Sequence, residues 1–285
     1  MQLSYLTGDT IKQFIESAFH EDIGDGDHST LASVPEKAYD SAIVLFKDSG
    51  VAAGMEMARK IFYHFDPSLD LDFLINDGDE VTFGDIGIKI NGSAQSILTC
   101  ERLILNCMQR MSGIATHTRK LKSLIAHTKA QLLDTRKTTP NFRLAEKWAV
   151  AIGGGTNHRF GLYDMVMLKD NHIDFAGGIE QAVSATRKYL LENNKNLRIE
   201  VETRNLNEVR EALEAEVDVI MLDNMDVNTM KEAVTIIGGL CKTEASGGIT
   251  EETIRSVAEC GVDFISVGVL THSTKSLDIS LKAVK

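Results

Sequence analysis

Several short stretches of the chain gather residue types that bind or move charge. Asp134-Thr135-Arg136-Lys137-Thr138-Thr139-Pro140 follows an apolar run and offers a guanidinium fork, an ammonium and hydroxyl donors. Arginine matches a carboxylate or phosphate bidentately, while lysine supplies a mobile point charge. On its own, an Arg-Lys pair is equally well explained as a solvated basic turn. Gly153-Gly154-Gly155-Thr156-Asn157-His158-Arg159 is harder to read that way. Its glycines let the backbone approach a ligand and present amides to an anion, and His158 and Arg159 add side-chain donors.

Lys169 stands beside Asp170, Asn171 and His172 at the end of the apolar run Met165–Leu168. Two chemistries are open to it: a Schiff base, if the amine is buried, or a charge that grips an anion. The other cations nearby favour the anion. Among the carboxylates, Glu200 and Glu202 share one strand face, because side chains alternate with period two. Glu202 and Asp223 end neighbouring strands and could jointly hold Mg²⁺ or sugar hydroxyls, or simply pair with nearby Arg and Lys. Ser246-Gly247-Gly248-Ile249-Thr250, with Gly268 further on, reads as a phosphate cradle ahead of a helix.

The elements that must position these groups follow from periodicity. The spacing predicts a helix over Gly8–Asp22 with Asp9 or Thr10 as its N-cap, a strand over Ser41–Phe46 and a helix over Gly54–Phe65. Short apolar pieces between turn signals then run from Leu69 to Leu98. A long helix over Thr99–Thr128 follows, with Ser112-Gly113 as a point of interruption. Beyond it, strands and helices alternate, ending with a strand at Asp263–Val267. Such alternation predicts a parallel sheet or barrel with helices outside. Polar groups recur just past the strands, at Arg136-Lys137, Lys169, Glu202, Asp223, Ser246 and Gly268. That recurrence favours a barrel, whose strand ends converge on one mouth, over an open sheet with one switch point. The expected division is an α+β domain over 1–112 and a β/α domain over 113–285, with the last residues free to pack back on the first domain.

The formal net charge is −11 and the pI about 5.2, so nucleic acid and anionic membrane are poor partners, and a local cationic cluster is all the more informative. Cys100, Cys107, Cys241 and Cys260 form no CxxC pair, and Cys100 and Cys107 read as core thiols. With no basic leader and no apolar run long enough to span a bilayer, a cytoplasmic protein without a membrane partner is expected.

In order along the chain stand HEDIGDGDHST, ERLILNCMQRMSGIAT, DTRKTTP, GGGTNHRFGLYDMVMLKDNHI, IEVET, DVIMLDN, EASGGIT and DFISVG. Together they resemble the nicotinate-nucleotide pyrophosphorylase (carboxylating) family, also called quinolinate phosphoribosyltransferase. The resemblance implies an N-terminal α+β sandwich followed by an incomplete β/α barrel, and a homodimer in which Arg102 completes the neighbouring site. It implies transfer of phosphoribose from phosphoribosyl pyrophosphate to quinolinate, with loss of CO₂ and pyrophosphate, giving nicotinate mononucleotide for NAD biosynthesis. By motif, Arg102, Arg136, His158, Arg159 and Lys169 would hold carboxylates and phosphates, and Lys137, with Thr138 beside it, the pyrophosphate. Glu202 and Asp223 would hold ribose hydroxyls and Mg²⁺, and Ser246, Gly247, Gly248 and Gly268 the 5′-phosphate. Lys137, Lys169, Glu202 and Asp223 would carry the catalysis, with no protein nucleophile. The chain departs from the family pattern at Asn141-Phe142, where Gly-Leu is common, and at Ala151, where a basic residue is common. Set beside this reading are a transferase for another aromatic acid, a Schiff-base lyase using Lys169, and a non-catalytic regulator that keeps the fold.

Overall fold

Alternation along Tyr39–Phe46 turns Ala42, Val44 and Phe46 inward, so this strand must lie on a core with its other face toward solvent. In the computed structural model, which describes residues 3–284, it pairs antiparallel with Ile86–Ser93 on one side and Ile279–Ala283 on the other. With Asp70–Phe73 beyond Ile86–Ser93, these strands make a four-stranded antiparallel sheet. The strand Ile279–Ala283 went unforeseen. Its five residues, Ile-Ser-Leu-Lys-Ala, become a strand only because a partner more than two hundred positions earlier offers a free edge.

The chain divides into two compact units. One runs to Arg119 and takes in Thr138–Gly154 and the chain from Leu270; the other comprises Lys120–Lys137 and Gly155–Val269. In the first unit, the N-terminal helix Gly8–Ile23 is capped by Thr7 rather than Asp9 or Thr10. Thr7 accepts from the Thr10 amide and the Thr10 hydroxyl accepts from the Thr7 amide, a reciprocal box that Thr10 serves from inside the helix.

The long helix covers Ala94–Leu124 and passes through Ser112-Gly113 without interruption. Tertiary packing decides this. The fully buried Ser112 hydroxyl donates to the Ala53 carbonyl at 3.0 Å and accepts from the Ala53 amide at 2.9 Å. Gly113 is there because any Cβ would fall on the Lys275 carbonyl. Cys100 and Cys107 are buried free thiols in the same helix.

The second unit carries a six-stranded, all-parallel sheet in the order Gln131–Leu133, Phe264–Ser266, Lys242–Ser246, Val219–Asp223, Ile199–Thr203, Val166–Leu168. The first strand in sequence thus pairs with the last, as in a barrel and unlike an open doubly wound sheet. A parallel bridge joins Leu133 to Thr156, and the sheet order ends at Val166–Leu168, so the barrel stays open between that strand and Thr156. Val201, Ile220, Leu222, Ala245 and Ile265 are almost completely buried on the helix-covered face, and the intervening residues point the other way, into the barrel.

Replacing Ser112 by alanine strands the buried Ala53 amide. We expect a loss of about 1–3 kcal/mol, read as a lower denaturant midpoint with an unchanged m-value.

Candidate active site

Strand register brings the rim residues together. Glu202 pairs in register with Met221, and Ser246 with Asp223, so that Glu202, Asp223 and Ser246 all lie on the inward face at the C-terminal ends of three adjacent strands. Lys169 follows Val166–Leu168, two positions beyond Met167, which is in register with Glu200. Its Nζ lies 3.9 Å from Glu202 Oε2. The Lys169 side chain is half exposed, so it lacks the enclosure a Schiff-base lysine needs, and the anion-binding role is the one its surroundings fit. Burial and then the charge of Asp223 raise the Glu202 carboxyl above its ordinary pKa, with Lys169 opposing. Asp223 Oδ2 accepts from Asn224 Nδ2 at 2.6 Å.

The stretch after Ser246 differs from expectation. Gly247 and Gly248 both adopt positive φ, 93° and 59°, and a Cβ on Gly247 would strike the Asn224 side chain. The next helix is the five-residue Ile254–Ala258, entered through Thr253, so it does not begin at this turn. Any cradle here is made by the glycine backbone alone, with an open face at Gly248, where nothing lies within 4 Å of a hypothetical Cβ.

On the other flank, Arg159 is part-buried; burial and then the charge of Arg136 push its pKa down. The two guanidinium charges therefore oppose each other, with Glu200 and Asp164 partly offsetting the effect, an arrangement that a further anion relieves. Arg159 is steered by its Nη1 donating to the Met165 carbonyl at 3.1 Å. Lys137, next to Arg136, is exposed.

His158 is the most enclosed of these residues. Its backbone amide donates to the fully buried Asp134, which also accepts from Asn157 Nδ2. His158 Nδ1 accepts the Arg159 amide at 2.6 Å, and Nε2 lies 3.1 Å from Glu200 Oε2 and 3.4 Å from Glu244 Oε2. Both ring nitrogens are thus engaged within the chain. Among the described residues, His158, Glu200 and Glu244 are the His/Cys/Asp/Glu group close enough to share an ion. The tautomer opposes that use. An amide donor on Nδ1 leaves the ring proton on Nε2, the atom a metal would need bare.

In the first unit, Thr138 accepts from Arg143 Nε at 2.9 Å. Asn141 takes φ 62°, the left-handed region that glycine occupies freely and asparagine tolerates, so its departure from the family's common glycine keeps the turn. The fully buried Glu146 binds both the amide and the hydroxyl of Thr139 at 3.0 Å and receives Arg110 Nε and Nη2 at 3.0 and 2.8 Å. Thr139, Arg110 and Phe142 line a cavity of about 720 Å³ in this unit. Arg102 is exposed on the helix Ala94–Leu124.

Two family models match in succession: the N-terminal domain of quinolinate phosphoribosyl transferase over residues 27–112 and its C-terminal domain over residues 114–282. The chain belongs to this family. It is 47% identical to "Quinolinate phosphoribosyltransferase [decarboxylating] 2, mitochondrial" of Nicotiana glauca over 95% of this chain and 82% of that protein. It is 48% identical, with the same coverage, to "Nicotinate-nucleotide pyrophosphorylase [carboxylating], chloroplastic" of Arabidopsis thaliana. The crystal structure of NadC from Streptococcus pyogenes superposes with a TM-score of 0.91 at 40% identity, covering 98% of this chain and 99% of that one.

For a member of the quinolinate phosphoribosyl transferase family, the inward face of the second unit collects Lys169, Glu202, Asp223 and Ser246, with Gly247, Gly248 and Gly268 following strand ends. Arg136, Arg159 and His158 form the second group. Thr138 and Arg102 belong to the first unit. Sequence reading passed over Glu244 and gave Glu200 no role, although both sit two residues before rim positions and a period of two carries them inward. It also passed over Arg110 and Glu146, whose only signal was opposite charge at remote positions.

Inorganic pyrophosphate is expected to raise the thermal midpoint, since a ligand at a hundred times its Kd adds about 2.7 kcal/mol. Lys137→Ala, at an exposed position, should abolish most of that shift in differential scanning fluorimetry while leaving the ligand-free midpoint within a few degrees.

Proposed function

We propose that this chain transfers the phosphoribosyl group of phosphoribosyl pyrophosphate to quinolinate, releasing pyrophosphate and CO₂ and forming nicotinate mononucleotide. The observation that carries the reading is Arg159, held part-buried under the charge of Arg136 in a chain of net charge −11. That electrostatic cost is relieved by a multiply anionic ligand, and both substrates are such ligands. The names of the relatives point to the same reaction.

The roles follow from charge and reach. Arg136, Arg159 and Lys169 bind quinolinate carboxylates and orient the ring nitrogen toward the ribose. As the C1–O bond to pyrophosphate breaks, positive charge develops on the ribose, and the carboxylates of Glu202 and Asp223 stabilise it from the rim. Lys137, exposed next to Arg136, and Thr138 take the leaving pyrophosphate. The new C1–N bond makes the pyridine nitrogen cationic. The C2–carboxylate bond then breaks, its electron pair stays on the ring beside that nitrogen, and water protonates C2. Gly247, Gly248 and Gly268 offer backbone amides to the 5′-phosphate, with Ser246 beside them.

Glu202 and Asp223 also fit a magnesium ion. Burial and then the charge of Asp223 raise Glu202, and a hard divalent cation between the two oxygen-donor carboxylates would remove their repulsion. Bound there with phosphoribosyl pyrophosphate, Mg²⁺ would supply charge neutralisation for the leaving group. The reading includes a homodimer in which the exposed Arg102 completes the site of a second copy. A cytoplasmic location belongs to it as an expectation for cell fractionation; the plant relatives named above are called mitochondrial and chloroplastic.

Purified protein with quinolinate, phosphoribosyl pyrophosphate and Mg²⁺ should release CO₂ and pyrophosphate in equal amounts, each requiring both substrates. Lys169→Ala should lower kcat/KM by about a hundredfold or more, as expected for a lost charge contact worth about 3 kcal/mol; full turnover would remove Lys169 from the site. Mixing inactive Arg102→Ala and Lys169→Ala subunits and allowing exchange should restore about a quarter of wild-type activity, since half the dimers would contain one intact site of two. No recovery would refute the shared site.

A further inference from the structure

Arg110 and Glu146 have no task in the reaction described above, yet three remote segments of the first unit meet on them. The Glu146 side chain is 0% exposed, and every hydrogen bond it makes is with a donor. Its Oε1 accepts from Arg110 Nε, Arg110 Nη2 and the Thr139 hydroxyl, and its Oε2 from the Thr139 amide at 3.0 Å. Arg110 in turn donates from Nη1 to the Thr274 carbonyl at 2.6 Å and from Nη2 to the Thr271 carbonyl. A buried ion pair contributes little net stability, because desolvation offsets its attraction. Both groups could be apolar if filling space were their only use. What the directed contacts add is the position of Thr139.

That position matters because of the residue before it. Thr138 accepts from Arg143 Nε at 2.9 Å, and its own O–H donates to no group among the described residues. A hydroxyl whose oxygen is held by a guanidinium points its proton away from that cation, as an anionic ligand requires. Thr139, by contrast, has both its amide and its hydroxyl committed to Glu146. Of two adjacent threonines, one is held from inside and the other is left to meet a ligand. The Phe142 amide closes the turn by donating to the Thr139 carbonyl at 3.1 Å, and the Glu146 amide donates to the Phe142 carbonyl at 3.1 Å. Arg143 and Glu146 both belong to the helix Arg143–Ile152, so helix, turn and Thr138 hydroxyl are tied together.

We propose that Arg110 and Glu146 are a positioning pair that fixes the Thr139 backbone and thereby aims the Thr138 hydroxyl at the leaving pyrophosphate. The inference rests on the reading of Thr138 as a pyrophosphate-binding residue. Both members act through Thr139 and are assigned no contact with substrate. A carboxylate is needed at 146 because it offers only acceptors to a set of contacts that are all donors. Glutamine there, its oxygen kept toward Arg110, would turn an NH₂ on the Thr139 amide and free the backbone next to Thr138. Apolar replacement of both Arg110 and Glu146 would fill the space and leave Thr139 untethered.

The test uses the full-length chain and two ligands that need no turnover, inorganic pyrophosphate with Mg²⁺ and quinolinate, each titrated by calorimetry. Thr138→Val should weaken pyrophosphate by about tenfold, the worth of one hydrogen bond to a charged group. Glu146→Gln should weaken it by a similar factor, with quinolinate affinity unchanged. Added to Thr138→Val, Glu146→Gln should cost less than about twofold more, because both changes remove the same contact. A merely structural role would weaken both ligands alike or neither, and would not make the two losses coincide. Arg110→Met with Glu146→Leu leaves no buried charge unpaired, so it folds independently of the single variant and should show the same selective loss. Full pyrophosphate affinity in Glu146→Gln and in the apolar pair would overturn the proposal. So would equal losses for both ligands, or losses that add fully to that of Thr138→Val. Full affinity in Thr138→Val is a separate outcome: it would refute the reading of Thr138, and the inference with it.

Discussion

Closure of the parallel sheet between Gln131–Leu133 and Phe264–Ser266 is the constraint on which the second unit depends. Once the first strand is bonded to the last, each strand has a helix-covered face and an interior face, and the choice for every residue is fixed by parity. Val201, Ile220 and Ala245 go outward against apolar surface. Their neighbours Glu200, Glu202, Met221, Glu244 and Ser246 have to go inward, whether or not the interior suits a charge. The site is the consequence of that obligation at the strand ends, where an inward charge meets solvent and ligand.

One step further in there is neither. There Glu200 and Glu244 meet His158, and their charges must be settled among themselves. A comparable settlement holds in the first unit, where Arg110 and Glu146 neutralise each other. Arg110 then donates to the Thr271 and Thr274 carbonyls, while Glu146 holds Thr139 by its amide and hydroxyl. Buried ion pairs of this kind add little net stability, because desolvation offsets the attraction. What they fix is geometry: a loop or a ring cannot shift without leaving a charge uncompensated. The positions behind the charged residues of the rim are thus under electrostatic terms as strict as those of the rim itself.

Much of this was legible in the sequence for local reasons. Hydrophobic period gave Gly8–Ile23 and Met55–Phe65 nearly to the residue, because those helices bury one face and their signals are contained within a few turns. The run of polar residues just past apolar strands gave Lys169, Glu202, Asp223 and Ser246 for the same reason. Where the reading failed, the deciding partner was remote. Ser112-Gly113 looked like a break, yet the helix continues because Ala53 and Lys275 need those two residues. Ile279–Ala283 had no strand signal of its own, and the turn after Ser246 looked continuous with a helix that begins only at Ile254.

The sequence by itself determined the alternation of strands and helices, the barrel-type ordering of polar strand ends, the family and the identity of the rim cations and carboxylates. Each depends on residue type and short spacing, which the chain states directly. Tertiary structure alone decided which charges face each other. Arg159 feels the charge of Arg136, Lys169 lies 3.9 Å from Glu202, and His158 turns both its nitrogens inward to the chain. Coulomb and hydrogen-bond energies fall off within a few ångströms, and distances that short between residues tens of positions apart are set only when the sheet closes.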